Sequence, residues 1–130
     1  MCIFCDIIAG TIPSRKVYED DNVLAILDVN PLSKGHTLIL PKKHTDSFLT
    51  ADAETVQNLA ACAHELAVKI TERTGADGCN ILTNCGEAAG QSVSHLHVHI
   101  IPRYNGDSAV SFEHAADSTD PDEVLKLLTK

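Results

Sequence analysis

Residues 95–101 read His-Leu-His-Val-His-Ile-Ile, and this alternation leaves the chain little choice of local structure. A period of two is the period of a β-strand, so His95, His97 and His99 share one face and Leu96, Val98 and Ile100 take the other. Three imidazoles on one sheet face, beside a Gly90-Gln91-Ser92 turn, point to a site. The plainer reading is a polar sheet edge with solvated histidines. Spacing limits the chemistry. At about 3.3 Å per residue, His95 and His99 stand roughly 13 Å apart along a strand. That is too far to share one zinc, whose bonds to nitrogen are about 2 Å, so the histidines must divide the work. The middle one, His97, is the natural nucleophile. Neutral imidazole attacks well near pH 7 because its pKa is about 6.5, and attack on phosphorus would give a phospho-histidine intermediate. The turn before it offers backbone N–H groups and a hydroxyl to phosphate oxygens.

The chain has 130 residues, enough for one domain with one real core. It lacks the long apolar run of a membrane-spanning helix and an N-terminal basic-then-apolar leader. A cytoplasmic location without membrane association is the expectation. A net charge of -8 argues against a nucleic-acid partner, which would need clustered Lys and Arg. Part of the acidity lies in the tail, at Asp107, Glu113, Asp117, Asp120, Asp122 and Glu123. Lys42, Lys43 and Arg103 follow strands and could serve a small anion or simply face solvent. Five cysteines without an export signal argue against disulfides. Cys62 and Cys79 fall in helix and strand patterns as small core residues. Cys2 and Cys5 stand apart as a Cys-x-x-Cys pair, and Cys85 sits in a turn.

Periodicity predicts the elements. Residues 1–9 form a short apolar segment ended by Gly10, and Val17-Tyr18-Glu19 a short strand. Val23–Asp28 and His36–Leu40 form strands, the second stopped by Pro41. Residues 52–73 form a helix on the stripe Val56, Leu59, Ala63, Leu66 and Ile70, capped by Thr50 or Asp52 and stopped at Gly75. The stripe could pack on the sheet, on a second subunit, or on both. Cys79–Asn84 and His95–Ile101 complete the strands, with Pro102 closing the last. Asp120-Pro121-Asp122-Glu123 starts a terminal helix with Val124, Leu127 and Leu128 on its apolar face. The class is α+β: an antiparallel sheet of about five strands, one long helix and short terminal helices.

The histidine run resembles the signature of the histidine-triad (HIT) family, and the match extends beyond it. Gly90-Gln91-Ser92-Val93 precedes the run. Upstream lie Asp28, Gly35-His36 and Leu40-Pro41-Lys42-Lys43-His44, as in the Hint branch. Cys2-Ile3-Phe4-Cys5-Asp6 is similar to the bacterial-type members. The resemblance spans roughly residues 2–106 and implies a single HIT domain over 1–130, with a variable tail at 107–130. It implies a nucleotide-conjugate hydrolase, acting on the α-phosphorus through a nucleotidyl-histidine at His97. His99 would contact phosphate and leaving group, His36 would hold the nucleophile's surroundings, and the Ser92 hydroxyl would face the scissile bond. Asn84 would lie near the phosphate, Gln91 and Val93 would also contact the nucleotide, and Asp28 would bind the ribose hydroxyls. Ile26 and Val29 would line a purine slot. A homodimer binding purine nucleotides and their conjugates is also implied.

Cys2 and Cys5 offer half of a Cys₂His₂ zinc site. In the resembling bacterial-type members, the positions of His44 and His95 supply the other half, which implies a structural zinc on those four residues. Free thiols and a surface histidine are the alternative. No carboxylate cluster suited to Mg²⁺ is evident, so the chemical step is expected to need no metal. Asn84 and Ser92 favour a purine nucleoside phosphoramidase that releases AMP. Glu87-Ala88-Ala89-Gly90 and Pro102-Arg103 are similar to diadenosine polyphosphate hydrolases, the alternative enzyme reading. A purine-nucleotide-binding regulator with little turnover and a zinc-dependent hydrolase are the remaining readings.

Overall fold

A computed structural model describes residues 2–129. In order, it contains helix α1 (Ile3–Ile8), strands β1 (Lys16–Glu19), β2 (Val23–Leu27) and β3 (Thr37–Pro41), and helix α2 (Ala53–Thr74). Strand β4 (Gly78–Leu82), a 3-10 turn (Glu87–Ala89), strand β5 (Val98–Arg103) and helix α3 (Pro121–Leu128) follow. The strands form one five-stranded sheet in the order β1-β2-β3-β5-β4. Each neighbouring pair is antiparallel. The α+β class expected from the pattern is therefore the class observed.

The two faces of the sheet are closed differently. On one, Val23, Ala25, Ile39, Leu96, Val98 and Ile100 pack against Leu59, Cys62, Ala63, Leu66, Ala67 and Ile70 of α2. The buried face of α2 is wider than the five-residue stripe, because Cys62 and Ala67 join it, and it lies on the sheet. Asp52 caps this helix by accepting from the Thr55 N–H at 2.8 Å, and Gly75 ends it at φ 70°. On the other face, Leu24, Ile26, Leu38 and Leu40 meet Phe4 and Ile7 of α1. This short helix leaves part of that face to the histidines.

Several strand limits differ from the sequence reading. β5 begins at Val98, because the ladder to β3 ends at the Ile39–Val98 pair and that to β4 at Leu82–His99. Residues 95–97 keep the alternation, with Leu96 in the core under α2 and His95 and His97 against Phe4, but their backbone is bonded elsewhere. The Leu96 N–H donates to the Thr45 carbonyl at 2.8 Å, and the His97 carbonyl accepts from Thr83 Oγ1 at 2.8 Å. Pro41 and Pro102 lie inside their strands. Pro41 pairs with Val23 and Pro102 with Cys79. The β3–β5 ladder covers only Thr37–Ile39 against Val98–Ile100, so neither proline must donate across it. β4 ends at Leu82, which leaves Asn84 in the following loop.

Gly35 illustrates how the site is set into this frame. Its φ is +93°, and a Cβ there would stand 3.1 Å from Thr74 and 3.2 Å from Pro102. Only glycine lets the chain turn at that spot, against the end of α2 and β5, and deliver His36 into the sheet. At the other end of the chain, Asp120 caps α3 as expected. Its Leu125, Leu127 and Leu128 are exposed. No described helix is long and apolar enough to cross a membrane.

Candidate active site and metal centre

Hydrogen bonds assign a proton to one nitrogen of each central imidazole. His97 is buried, and its Nδ1–H donates to the His95 carbonyl at 2.7 Å. The neutral ring therefore carries its lone pair on Nε2. The Leu32 N–H donates to His36 Nδ1 at 3.0 Å, so His36 keeps its proton on Nε2. That proton goes to His99 Nδ1 at 2.9 Å. His99 is left with an N–H at Nε2, and its ring centroid is 5.0 Å from that of His97. A nucleophilic lone pair and a hydrogen-bond donor thus stand side by side.

Asp28, His36 and His99 bring their ligand-type atoms within 4.8 Å of one another. In this cluster the facing nitrogens of His36 and His99 are joined to each other by a hydrogen bond rather than turned toward a common ion. Asp28 Oδ2 is 3.6 Å from His36 Nε2, and Asp28 Oδ1 accepts from the Asn30 N–H at 2.8 Å. Burial pushes the His36 pKa down, against the pull of Asp28. Burial, then the neighbouring His97 and His36, pushes that of His99 down to about 4.

That depression has a measurable sign. Unfolded, His99 has the ordinary imidazole pKa of about 6.5, so the unfolded chain takes up a proton before the folded one does. The stability held in the neutral His99 is complete above about pH 6.5 and is lost as the pH falls toward about 4. In thermal melts, native protein should lose more Tm between pH 6.5 and 4 than His99→Gln does. Parallel profiles would contradict the neutral, half-buried state.

The second constellation lies at the other end of the triad. Cys2, Cys5, His44 and His95 also place their ligand atoms within 4.8 Å. Cys2 Sγ is 3.3 Å and Cys5 Sγ 3.6 Å from His95 Nδ1. Cys5 Sγ is 3.3 Å from His44 Nδ1, and the two Nδ1 atoms are 3.1 Å apart. With Zn–N about 2.0 Å and Zn–S about 2.3 Å, the edges of a zinc tetrahedron are about 3.3–3.8 Å. The rings are oriented for a cation. His95 Nε2–H donates to the Pro41 carbonyl at 2.9 Å, and His44 Nε2 faces Asp46 Oδ1 at 3.2 Å. Both Nδ1 lone pairs therefore face inward, the outer-partner arrangement typical of zinc-ligating histidines. Burial, then the adjacent Cys2 thiol, pushes the Cys5 thiol up, so a thiolate at Cys5 calls for a positive charge beside it. The four residues fit a structural zinc.

The other sequence candidates fall in distinct places. Asp28 and His36 line an open cleft of ≈ 360 Å³ with Leu27, Pro31, Ser33, Lys34 and Gly35. Ile26 is buried in the sheet face beneath α1, whereas Val29 is 81% exposed. Ser92 and Val93 line a second cleft with Cys2, Ile3, His44, Asp46 and Ser94. The Asn84 amide packs against Gly90. Gln91 is committed to holding its own loop. Its Oε1 accepts from the Gly86 N–H at 2.8 Å, and its Nε2 donates to the carbonyls of Asp46 and Val93 at 2.6 and 3.0 Å. It positions the loop, and its amide is not free for a ligand. Sequence reasoning also missed Phe4, whose ring meets both His95 and His97. Nothing distinguishes it in the sequence from an ordinary core phenylalanine.

Alternating histidines that run into an antiparallel strand, the middle one with Nε2 unprotonated, match the pattern of a histidine-triad protein. The HIT domain family model matches residues 9–106, and the chain belongs to the HIT family. It is 48% identical over 126 residues to an HIT-like protein of Methanocaldococcus jannaschii, covering 97% of each. It is 45% identical over 106 residues to an adenylylsulfatase of Arabidopsis thaliana, covering 82% of this chain and 54% of that protein. The crystal structure of a Zn-bound histidine triad family protein from Mycobacterium smegmatis aligns with a TM-score of 0.80 at 43% identity. That alignment covers 98% of this chain and 89% of that one.

Proposed function

We propose that this chain hydrolyses adenosine nucleotide conjugates at the α-phosphorus, as a purine nucleoside phosphoramidase releasing AMP. The observation that carries the reading is the His97 Nδ1–H bond to the His95 carbonyl, which leaves Nε2 unprotonated. In the first half-reaction, Nε2 attacks phosphorus, the bond from phosphorus to the leaving group breaks, the amine departs with a proton taken from solvent, and a nucleotidyl-histidine forms. The His95 carbonyl then faces the positive charge that develops on the ring. The Nε2–H of His99 donates to the phosphate, and the Ser92 hydroxyl faces the leaving group. In the second half-reaction, water attacks the same phosphorus, AMP leaves and His97 is restored. Positioning and charge stabilisation suffice for such phosphoryl chemistry, and the chemical step uses no metal. Zinc on Cys2, Cys5, His44 and His95 would be structural.

Asp28 fits a ribose diol, since a carboxylate accepts from two vicinal hydroxyls. Asp28→Asn should raise KM for a ribonucleotide conjugate by about ten- to hundredfold, the range for hydrogen bonds to a charged group. It should also erase the preference over the 2′-deoxy compound. An unchanged ribose preference would remove Asp28 from this role. A homodimer is also proposed. An apolar groove lined by Phe48, Val56, Ala60, Ile81 and Val98 runs between α2 and the edge strand β4, and Ile81 is 50% exposed. The protein is read as a single domain of the cytoplasm.

The reading is tested by kcat/KM for an adenosine phosphoramidate, adenylyl sulfate and a diadenosine polyphosphate, measured side by side. The phosphoramidate should be turned over best. The similarity to a plant adenylylsulfatase favours adenylyl sulfate as the second substrate. Tight AMP binding with no turnover of any of the three would make the protein a nucleotide-binding regulator.

A further inference from the structure

We infer that Phe4 is a positioning residue for the His97 imidazole, joining it mechanically to the Cys2/Cys5 corner. The inference rests on reading His97 as the nucleophile. Phe4 is buried, and its ring meets two imidazoles at once. Its centroid is 5.9 Å from that of His95 at 88°, and 5.0 Å from that of His97 at 72°. Among the described residues, one hydrogen bond reaches the His97 side chain, at Nδ1, and it holds a single edge of the ring. The torsion that turns an imidazole about its Cβ–Cγ bond is broad. A half-turn would take Nδ1 away from the carbonyl and let the neutral ring exchange tautomers. Ring packing opposes that turn, from His99 at 5.0 Å and from Phe4.

A phenyl group suits this position for a chemical reason. A polar side chain there could donate to Nε2 and occupy the lone pair. Phenyl restrains the ring and offers it no proton. Phe4 is itself anchored on both sides. Cys2 caps α1, its sulfur accepting from the Cys5 N–H at 3.4 Å. The Cys2 and Cys5 sulfurs in turn lie against His95 and His44. The helix that carries the thiols thus carries the wedge, and His95 contributes to the corner through its ring and to the nucleophile through its carbonyl.

The test compares Phe4→Leu, and Phe4→Met as a fuller side chain, with Leu66→Ala. Leu66 is buried on α2 against the opposite face of the sheet, away from the histidines. Zinc content and Tm are recorded for each variant. Imidazole ¹⁵N shifts then report the His97 tautomer without substrate, and rapid quenching reports the rate of nucleotidyl transfer. Both Phe4 variants should show mixed His97 tautomers. Their transfer rate should fall by about ten- to hundredfold, the usual cost of a small misplacement. Leu66→Ala should lose Tm while keeping the single tautomer and the native rate. A single Nδ1–H tautomer in both Phe4 variants would overturn the inference, as would equal rate losses in Phe4→Leu and Leu66→Ala. Should native protein form no adduct, the proposed reaction fails, and the tautomer measurement still decides the packing role of Phe4.

Discussion

His97→Ala should form no nucleotidyl adduct and should turn over an adenosine phosphoramidate at least about four orders of magnitude more slowly, as for removal of other covalent nucleophiles. The size follows from the division of labour in the site. Without the Nε2 lone pair, water must attack the conjugate directly, with only positioning and phosphate contacts left to help. Intact mass after rapid quenching gives the clearest reading, because an added nucleotidyl group is easily resolved on so small a chain. Native protein should show the adduct transiently with release of amine, and the variant neither. His99→Gln should differ in kind, since the nucleophile survives and the adduct still forms, though slowly. An adduct of equal mass on His97→Ala, or turnover within tenfold of native, would place the covalent chemistry on another residue.

The sequence made some of this legible and hid the rest for physical reasons. The alternation at 95–101 sorts Leu96, Val98 and Ile100 into the core under α2, because strand geometry fixes which face each side chain takes. The stop at Gly75 and a cap at Thr50 or Asp52 are equally visible, since both are local demands of helix ends, and the structure places the cap on Asp52. Pro41 and Pro102 misled, because a proline's tolerance in a strand depends on which neighbour lies across from it, and that is a tertiary fact. The role of Gln91 was hidden for a similar reason. Its amide is used up by Asp46, forty-five residues away, and by its own loop. The tautomers of His36, His97 and His99 depend on the Leu32 N–H and the His95 carbonyl. Residue identity alone carries no information about such backbone partners.

Cys5→Ser should bring zinc from about one per chain to a small fraction of that, and should lower Tm by more than about 10 °C. A loss of about 3 kcal/mol suffices for such a shift in a domain of this size. Structural zinc contributes more than that in small domains that depend on it. Here the sheet and α2 supply a core of their own, so the variant should remain folded. The penalty would arise at one spot. His44 and His95 are held by Asp46 and the Pro41 carbonyl with both Nδ1 lone pairs facing inward at 3.1 Å. Without a cation, one ring must take a proton or turn away, and His95 is fully buried. A turning His95 would disturb the carbonyl that holds His97, so the variant's transfer rate should fall although zinc touches no substrate. Chelation of native protein should reproduce both effects, and returned zinc should reverse them. Native protein that carries clearly less than one zinc per chain after metal-retaining purification would remove the metal from this corner. So would Cys5→Ser with unchanged Tm, and the four residues would then be two thiols and two histidines packed by hydrogen bonds alone.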